Sequence, residues 1–237
     1  MTSLLARLVR DPGRPRLTWY GDGGERVELS GAVLANWVTK AANLLVEELD
    51  AGPGLRVRLD LPGHWRSLVW ALAVWRVGAC VVVPGAVGGG GPHDEPADVV
   101  VTTHPPGAPA GAAVVAVALP ALARRFDGAL PPGAIDGTAV LGYGDTLGWA
   151  PPGDPAALAL VGPTGTTSHA DLVPSAGAQR RALLDVTDAP LDDVLRQVVA
   201  LLAGDGSVVL VGGEVAAALR VDDERRARLV VGERVTG

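Results

Sequence analysis

The sequence predicts an α/β fold: a mostly parallel sheet flanked by helices, with a β-hairpin at the N-terminal end. Three observations carry that prediction. Short continuous runs of Val, Leu and Ala, such as 79–83 and 207–211, have the pattern of strands covered on both faces. Between several of them lie segments of 10–15 residues or more with apolar residues at helical spacing. Glycine and proline clusters separate the two kinds of segment, so strands and helices alternate as right-handed βαβ crossovers require.

Taken in order, residues 16–20 and 26–29 flank Gly21-Asp-Gly-Gly24, a strong hairpin signal. Ser30 stands at a helix N-cap position, and Val33, Leu34, Trp37, Val38, Ala41, Leu44, Leu45 and Leu49 follow with helical period. Gly52-Pro-Gly54 stops that helix, and 55–61 alternates as a strand. Residues 64–77 read as a buried helix ended by Gly78, and 79–83 as a buried strand. A glycine-rich connection at 85–92 leads to strands at 98–103 and 114–119 and a short helix at 121–126. The Pro- and Gly-rich stretch 128–155 reads as a surface excursion before a strand at 156–161. Helices are expected at 175–186 and 191–203, a strand at 207–211, a helix at 214–219 and a final strand at 228–235. No internal repeat or linker interrupts the chain, so 1–237 is expected to form a single domain.

Composition narrows the function. Hydrophobic residues make up 48% and charged residues 19% of the 237, which indicates a globular chain. A net charge of −6 and the lack of a basic stripe argue against nucleic acid as a partner. Cys80 is the only cysteine, so no intrachain disulfide forms, and the cytoplasm is the default compartment. The N-terminal segment has no long apolar region of a signal peptide, and no apolar run is long enough to span a bilayer, so no membrane partner is expected. Lys40 is the only lysine, and any lysine-dependent chemistry must use it or one from another chain.

The richest local feature is Leu158-Ala-Leu-Val-Gly-Pro-Thr-Gly-Thr-Thr-Ser-His-Ala-Asp-Leu-Val173, a buried strand running into a loop of glycine and hydroxyl residues. Such loops present backbone N–H groups and hydroxyls to phosphate oxygens. A phosphate loop normally supplies a cation as well, and the charged residue here is Asp171.

These pieces together resemble the N-terminal part of the adenylate-forming enzymes, the acyl-CoA synthetase and peptide-synthetase adenylation superfamily. The resemblance rests on residues 29–45, on Gly52-Pro-Gly-Leu-Arg-Val-Arg-Leu59 and on Ala71-Leu-Ala-Val-Trp-Arg-Val-Gly-Ala-Cys-Val-Val-Val-Pro84. Farther on, Leu202-Ala-Gly-Asp-Gly-Ser-Val-Val-Leu210 and Glu233-Arg-Val-Thr236 are similar to later family segments. The loop Thr164-Gly165-Thr166-Thr167 falls where the family's phosphate loop T-S-G-T-T-G-x-P-K-G-V stands. The resemblance covers nearly the whole chain and implies the family's first N-terminal subdomain, with ATP or AMP as the implied nucleotide. The chain also resembles a short actinobacterial variant of the family.

The departures are concentrated in the loop. Ser168, Ala170, Asp171 and Leu172 stand where the family has Gly, Pro, Lys and Gly. Exchanging that lysine for aspartate replaces attraction to a phosphate by repulsion, about 4 kcal/mol each way at ~4 Å and an effective dielectric of about 20. Nor do the 237 residues contain counterparts of the family's adenine- and ribose-contacting motifs, its magnesium-binding glutamate or its catalytic lysine. The expectation is a pseudoenzyme with no catalytic residue. Thr164, Gly165, Thr166, Thr167 and Ser168 then form a remnant of the nucleotide loop that binds a small molecule, or serve as a plain structural turn, and the chain self-associates or docks a protein partner. The alternatives are a carboxylate–CoA ligase-like enzyme with residual ATP binding, completed by a second chain, and a purely structural interaction module.

Other features have plainer readings. His64, His93, His104 and His169 lack ligand spacing, so no metal site is expected. Ser168-His169 lacks the elbow that a nucleophile–base pair needs. Trp37, Trp65, Trp70 and Trp75 fall on predicted helices as packing residues, with Trp65 and Trp70 also suited to an interface. Asp222-Asp-Glu-Arg-Arg226 reads as a solvated turn.

Overall fold

The Val- and Leu-rich runs become strands because each buries both faces, and every fully buried Val or Leu contributes about 1.5–3 kcal/mol. The computed structural model describes residues 1–85, 96–148, 153–175, 177 and 179–236. Most of the glycine-rich connection at 85–92, and His93, lie outside the described residues. The chain packs as two units, one of Met1, 36–61 and 66–172, the other of 2–35, 62–65 and 173–237.

The first unit is built on a seven-stranded sheet. Its strands are β3 (Arg56–Asp60), β4 (Cys80–Val82), β5 (Val99–Thr102), β6 (Ala113–Ala116), β7 (Ile135–Asp136), β8 (Leu158–Gly162) and β9 (Gly165–Ser168). The spatial order is β7-β6-β5-β3-β4-β8-β9, parallel throughout except for the terminal β8–β9 pair. Helix α3 (Trp65–Arg76) is apolar almost all round and buried accordingly; the Trp75 indole N–H donates to the Ala159 carbonyl at 2.7 Å. Trp65 and Trp70 are 2% and 4% exposed, so neither is available as a free surface residue.

Helix α2 (Gly31–Leu49) begins where the Ser30 hydroxyl accepts the Val33 N–H, as the N-cap reading anticipates. Residues 31–35 of α2 belong to the second unit and 36–49 to the first. On its first-unit part, Asn43 donates to the carbonyls of Gly144 and Thr146 at 2.8 and 3.0 Å, and the Tyr143 hydroxyl bonds Glu48 at 2.5 Å. The stretch read as a surface excursion is thus tied to a helix, and it also contains β7 and a 3-10 segment, Gly137–Gly142.

The second unit carries a four-stranded sheet of β1 (Pro15–Tyr20), β2 (Arg26–Ser30), β10 (Arg181–Asp185) and β11 (Ser207–Val211), in the order β10-β11-β1-β2. β1 and β2 form the expected antiparallel hairpin, and β10, β11 and β1 run parallel. The unit's helices are α1 (Thr2–Leu8), α4 (Leu191–Ala203), α5 (Gly213–Val221) and α6 (Asp223–Gly232). Gly213 opens α5 with φ +53, and a Cβ there would meet the Asp22 carboxylate oxygen at 2.0 Å. That close approach lets Asp22 accept the Glu214 N–H at 2.6 Å.

Three expected elements differ. Among the described residues of 175–186 none is helical; 181–185 is β10, whose residues pair in register with β11 from Arg181↔Ser207 to Asp185↔Val211. The 121–126 segment is irregular, and its Phe126 N–H is taken by Asp136 at 2.8 Å. The expected last strand is helix α6. An apolar run such as Leu229-Val-Val231 fits a strand or a helix equally by period alone. Its start decides the matter: Asp222 accepts the Arg225 N–H at 2.8 Å, and Asp223 and Glu224 occupy the first turn. Asp222→Ala is expected to cost about 1 kcal/mol, read as a lower urea midpoint with an unchanged slope; an unchanged midpoint would contradict the cap.

Candidate functional site

The loop that falls at the family's phosphate-loop position is a tight β-hairpin. β8 and β9 pair antiparallel from Leu158↔Ser168 to Gly162↔Gly165, leaving only Pro163 and Thr164 to turn the chain. A phosphate cradle needs successive N–H groups facing one way. Pro163 has no N–H, and residues 165–168 lie in an extended ladder. Gly165 has φ +129, a backbone that side chains resist, so glycine is required there for the turn itself. Thr164, Gly165 and Thr166 are exposed, and Thr167 and Ser168 half-buried.

After β9 the chain closes on itself. The Ser168 hydroxyl donates to the Asp171 carboxylate at 2.7 Å and accepts the Asp171 N–H at 3.2 Å. The next two amides are also spent, His169 N–H on Ala157 O at 2.9 Å and Ala170 N–H on Pro155 O at 2.8 Å. Burial holds the His169 imidazole below its ordinary value, against the hydrogen bond that it makes with the Gly78 backbone. Lys40 donates its ammonium to the Tyr143 carbonyl. The turn therefore has hydroxyls and one carboxylate, and the chain's single lysine is engaged on α2.

The remaining histidines of the described residues take structural places. His64 is 4% exposed, edge-on to Trp19 with ring centroids 4.6 Å apart. Its Nε2 lies 3.9 Å from Glu25, which accepts the Trp19 indole N–H at 2.8 Å. His104 is exposed and meets the Thr103 hydroxyl at 2.9 Å. Among the described residues no three metal-ligating side chains cluster.

A second polar centre, which the sequence does not single out, lies on the sheet of the second unit. Glu233, just after α6, accepts from the Tyr20 hydroxyl at 2.5 Å, from Arg26 at 2.9 Å and from Arg181 at 2.5 Å. Arg181 also donates to the Glu233 carbonyl at 2.6 Å, to Thr18 at 2.8 Å and to Ser207 at 3.2 Å. Burial alone would raise the Glu233 carboxyl, yet these donors hold it below its ordinary range; the same carboxylate and burial push the Tyr20 phenol up. Beside this centre Arg16, 1% exposed, pairs with Asp205 at 2.6 Å, and Arg14 reaches the same carboxylate at 3.0 Å. The only sequence signals were the basic pair Arg180-Arg181 and the similarity of residues 233–236 to a family segment. Strand register brings residues 20, 26 and 181 together, and Glu233 reaches them from the end of α6.

Comparison with known proteins places this geometry. No family model matches the chain. A protein of Mycobacterium tuberculosis (strain ATCC 25618 / H37Rv) described as a "TIGR03089 family protein" is 34% identical over 241 residues, covering 94% of each chain. Among solved structures, an acyl-CoA synthetase of Brucella canis matches 98% of this chain with a TM-score of 0.69 at 16% identity. The amide bond synthetase McbA of Marinactinospora thermotolerans matches 99% with a TM-score of 0.61 at 18% identity. The N-terminal subdomain of Klebsiella oxytoca NpsA, in complex with 3-hydroxybenzoyl-AMSN, matches 99% with a TM-score of 0.63 at 14% identity. The chain spans 46%, 47% and 58% of those three chains, about half the length of the solved structures it matches. The fold is that of the N-terminal subdomain of adenylate-forming enzymes, as the resemblance implied.

The Glu233 centre sets a pH dependence. A carboxyl held below its ordinary 4.5 binds its proton less readily folded than unfolded. Its contribution is fully present above pH 4.5 and is lost as the pH falls through the lowered folded value. Asp185 and Asp205 of the same unit shift the same way, each by hydrogen bonds that outweigh burial. Glu233→Gln should lower stability at pH 7 and flatten the fall in thermal midpoint below pH 4.5; a parallel fall in both proteins would contradict the assignment.

Proposed function

This chain belongs to the TIGR03089 family, and on that premise we propose that it is a degenerate relative of the adenylate-forming enzymes that binds a small molecule or a protein partner without catalysing adenylation. The observation that carries this reading is the β8–β9 turn. In an adenylating enzyme this turn must hold the pyrophosphate end of ATP while a carboxylate attacks the α-phosphorus. Attraction there comes from a cation and from convergent N–H donors. Here Asp171 stands in the lysine's place, its carboxylate bonds Ser168, and Pro163 removes a donor from a two-residue turn. Charge and backbone geometry both disfavour a polyphosphate, and each opposes it independently.

A pseudoenzyme of this kind retains the fold for what the fold still presents, its surface and pockets. The cytoplasm and a protein or homo-oligomeric partner belong to the same proposal. A second reading, a ligase-like enzyme with residual ATP binding completed by another chain, rests on the Thr164-Gly165-Thr166-Thr167 run that the β8–β9 turn retains.

The chain is expected to catalyse no carboxylate-dependent exchange of pyrophosphate into ATP, alone or with Asp171→Lys, because the lysine restores charge but not the donor geometry. Exchange above background in the wild type that Thr166→Ala or Thr167→Ala abolishes would overturn the proposal. Exchange that arises only when a copurifying chain is added back would establish the second reading in its place.

A further inference from the structure

The described residues of the second unit form an open groove of about 580 Å³ beside the Glu233 centre, at the start of β10, β11 and β1 and the end of α6. Its size falls within the ordinary range for small-molecule sites. Five arginines line it: Arg14, Arg26, Arg180, Arg181 and Arg234. Two glutamates, Glu28 and Glu233, oppose them, leaving an excess of three positive charges in a chain whose net charge is −6. Counting Arg16 and Asp205 alongside leaves that excess unchanged.

The arginines divide into two sets. Arg14 is paired with Asp205, Arg26 with Glu28 and Glu233, and Arg181 with Glu233. These hold the groove's shape and leave both glutamates neutralised. Arg180 and Arg234 are exposed, and among the described residues neither guanidinium has an ion pair or hydrogen bond. Uncommitted positive charge therefore sits on a framework of committed charge.

Arg234 carries a second, independent signal. It takes φ +53, in the left-handed region, directly after the C-cap Glu233. Its N–H closes on Val231 O at 3.1 Å and the Val235 N–H on Val230 O at 2.9 Å, the helix-ending motif that favours glycine at this position. An arginine here is strained, and no described contact of its side chain repays the strain. A cation near a helix C-terminus does offset the end's partial negative charge, but a lysine or arginine within the last turn would do so without the strain.

We propose that this groove binds a phosphate-bearing small molecule, with the phosphate held between Arg180 and Arg234. Guanidinium groups are planar forks that bond two oxygens of one oxyanion, and a phosphate offers enough oxygens for two such forks. A single carboxylate has two oxygens, enough for one fork, and would leave the second guanidinium uncommitted. The remaining volume accommodates the organic part of the ligand. The proposal deepens the small-molecule branch of the reading above and rests on that branch, but its residues lie in the other unit from the β8–β9 turn, so the two are separable.

The test is calorimetric titration of the full chain with inorganic pyrophosphate, on wild type, on Arg180→Ala with Arg234→Gly, and on Asp171→Lys. The wild type should bind, and more weakly as salt rises. The double variant should lose affinity by about tenfold or more, while its thermal midpoint holds, because glycine relieves the left-handed strain. Asp171→Lys should bind as the wild type does. No heat up to about 10 mM pyrophosphate, or equal affinity in the double variant, would overturn the proposal. So would a rise in affinity with Asp171→Lys alone, which would assign the binding to the turn. A poly-glutamate peptide that binds more tightly than pyrophosphate would overturn the ligand class and point to an acidic protein partner.

Discussion

In the second unit the carboxylate of Glu233 is the interaction on which the polar architecture depends. It joins the hairpin strands β1 and β2 to β10 and the end of α6, which lie far along the chain from the hairpin. A buried carboxylate without partners would be costly; with Tyr20, Arg26 and Arg181 donating to it, the same burial strengthens each bond. Glu233 absorbs Arg26 and Arg181 and Asp205 absorbs Arg14, so the uncommitted charge of the groove is that of Arg180 and Arg234. The structural device and the proposed binding device are therefore consequences of one electrostatic arrangement.

The first unit makes the complementary point. Its parallel sheet has the fold of the adenylate-forming N-terminal subdomain, and the sequence departs from that family's phosphate loop at the terminal strands. A turn that must grip polyphosphate has to leave its N–H groups and a cation unspent. Here the ladder, Pro163, Ser168 and Asp171 use those resources to close the hairpin. A stable turn and a phosphate cradle make opposite demands on the same residues, and the proposed function follows from the bonds that close this turn.

Much of the fold could be read from the chain. Gly21-Asp-Gly-Gly24 announced the hairpin, Ser30 the start of α2, and the runs around Val81, Val100 and Val209 the covered strands. What failed did so for a physical reason. Leu229-Val-Val231 has no period that separates strand from helix, and Asp222-Asp-Glu-Arg-Arg226 reads as a turn until its cap on the Arg225 N–H is seen. The 175–186 stretch has helix-compatible composition, and only pairing with β11 makes 181–185 a strand. The glycine and hydroxyl composition of 164–168 is legible in the sequence, but its pairing as the β8–β9 ladder is not. The Glu233 centre and the arginine groove stayed hidden because pairing across strands, not proximity in sequence, assembles them.

The central claim is that this chain keeps the fold of an adenylating subdomain without its grip on ATP. Calorimetry with ATP on the Arg180→Ala, Arg234→Gly protein tests it most directly, because that background silences the groove and leaves the β8–β9 turn intact. No saturable binding below about 1 mM is the predicted result. Micromolar binding of ATP in that background, weakened by changes at Thr166 or Thr167, would contradict it.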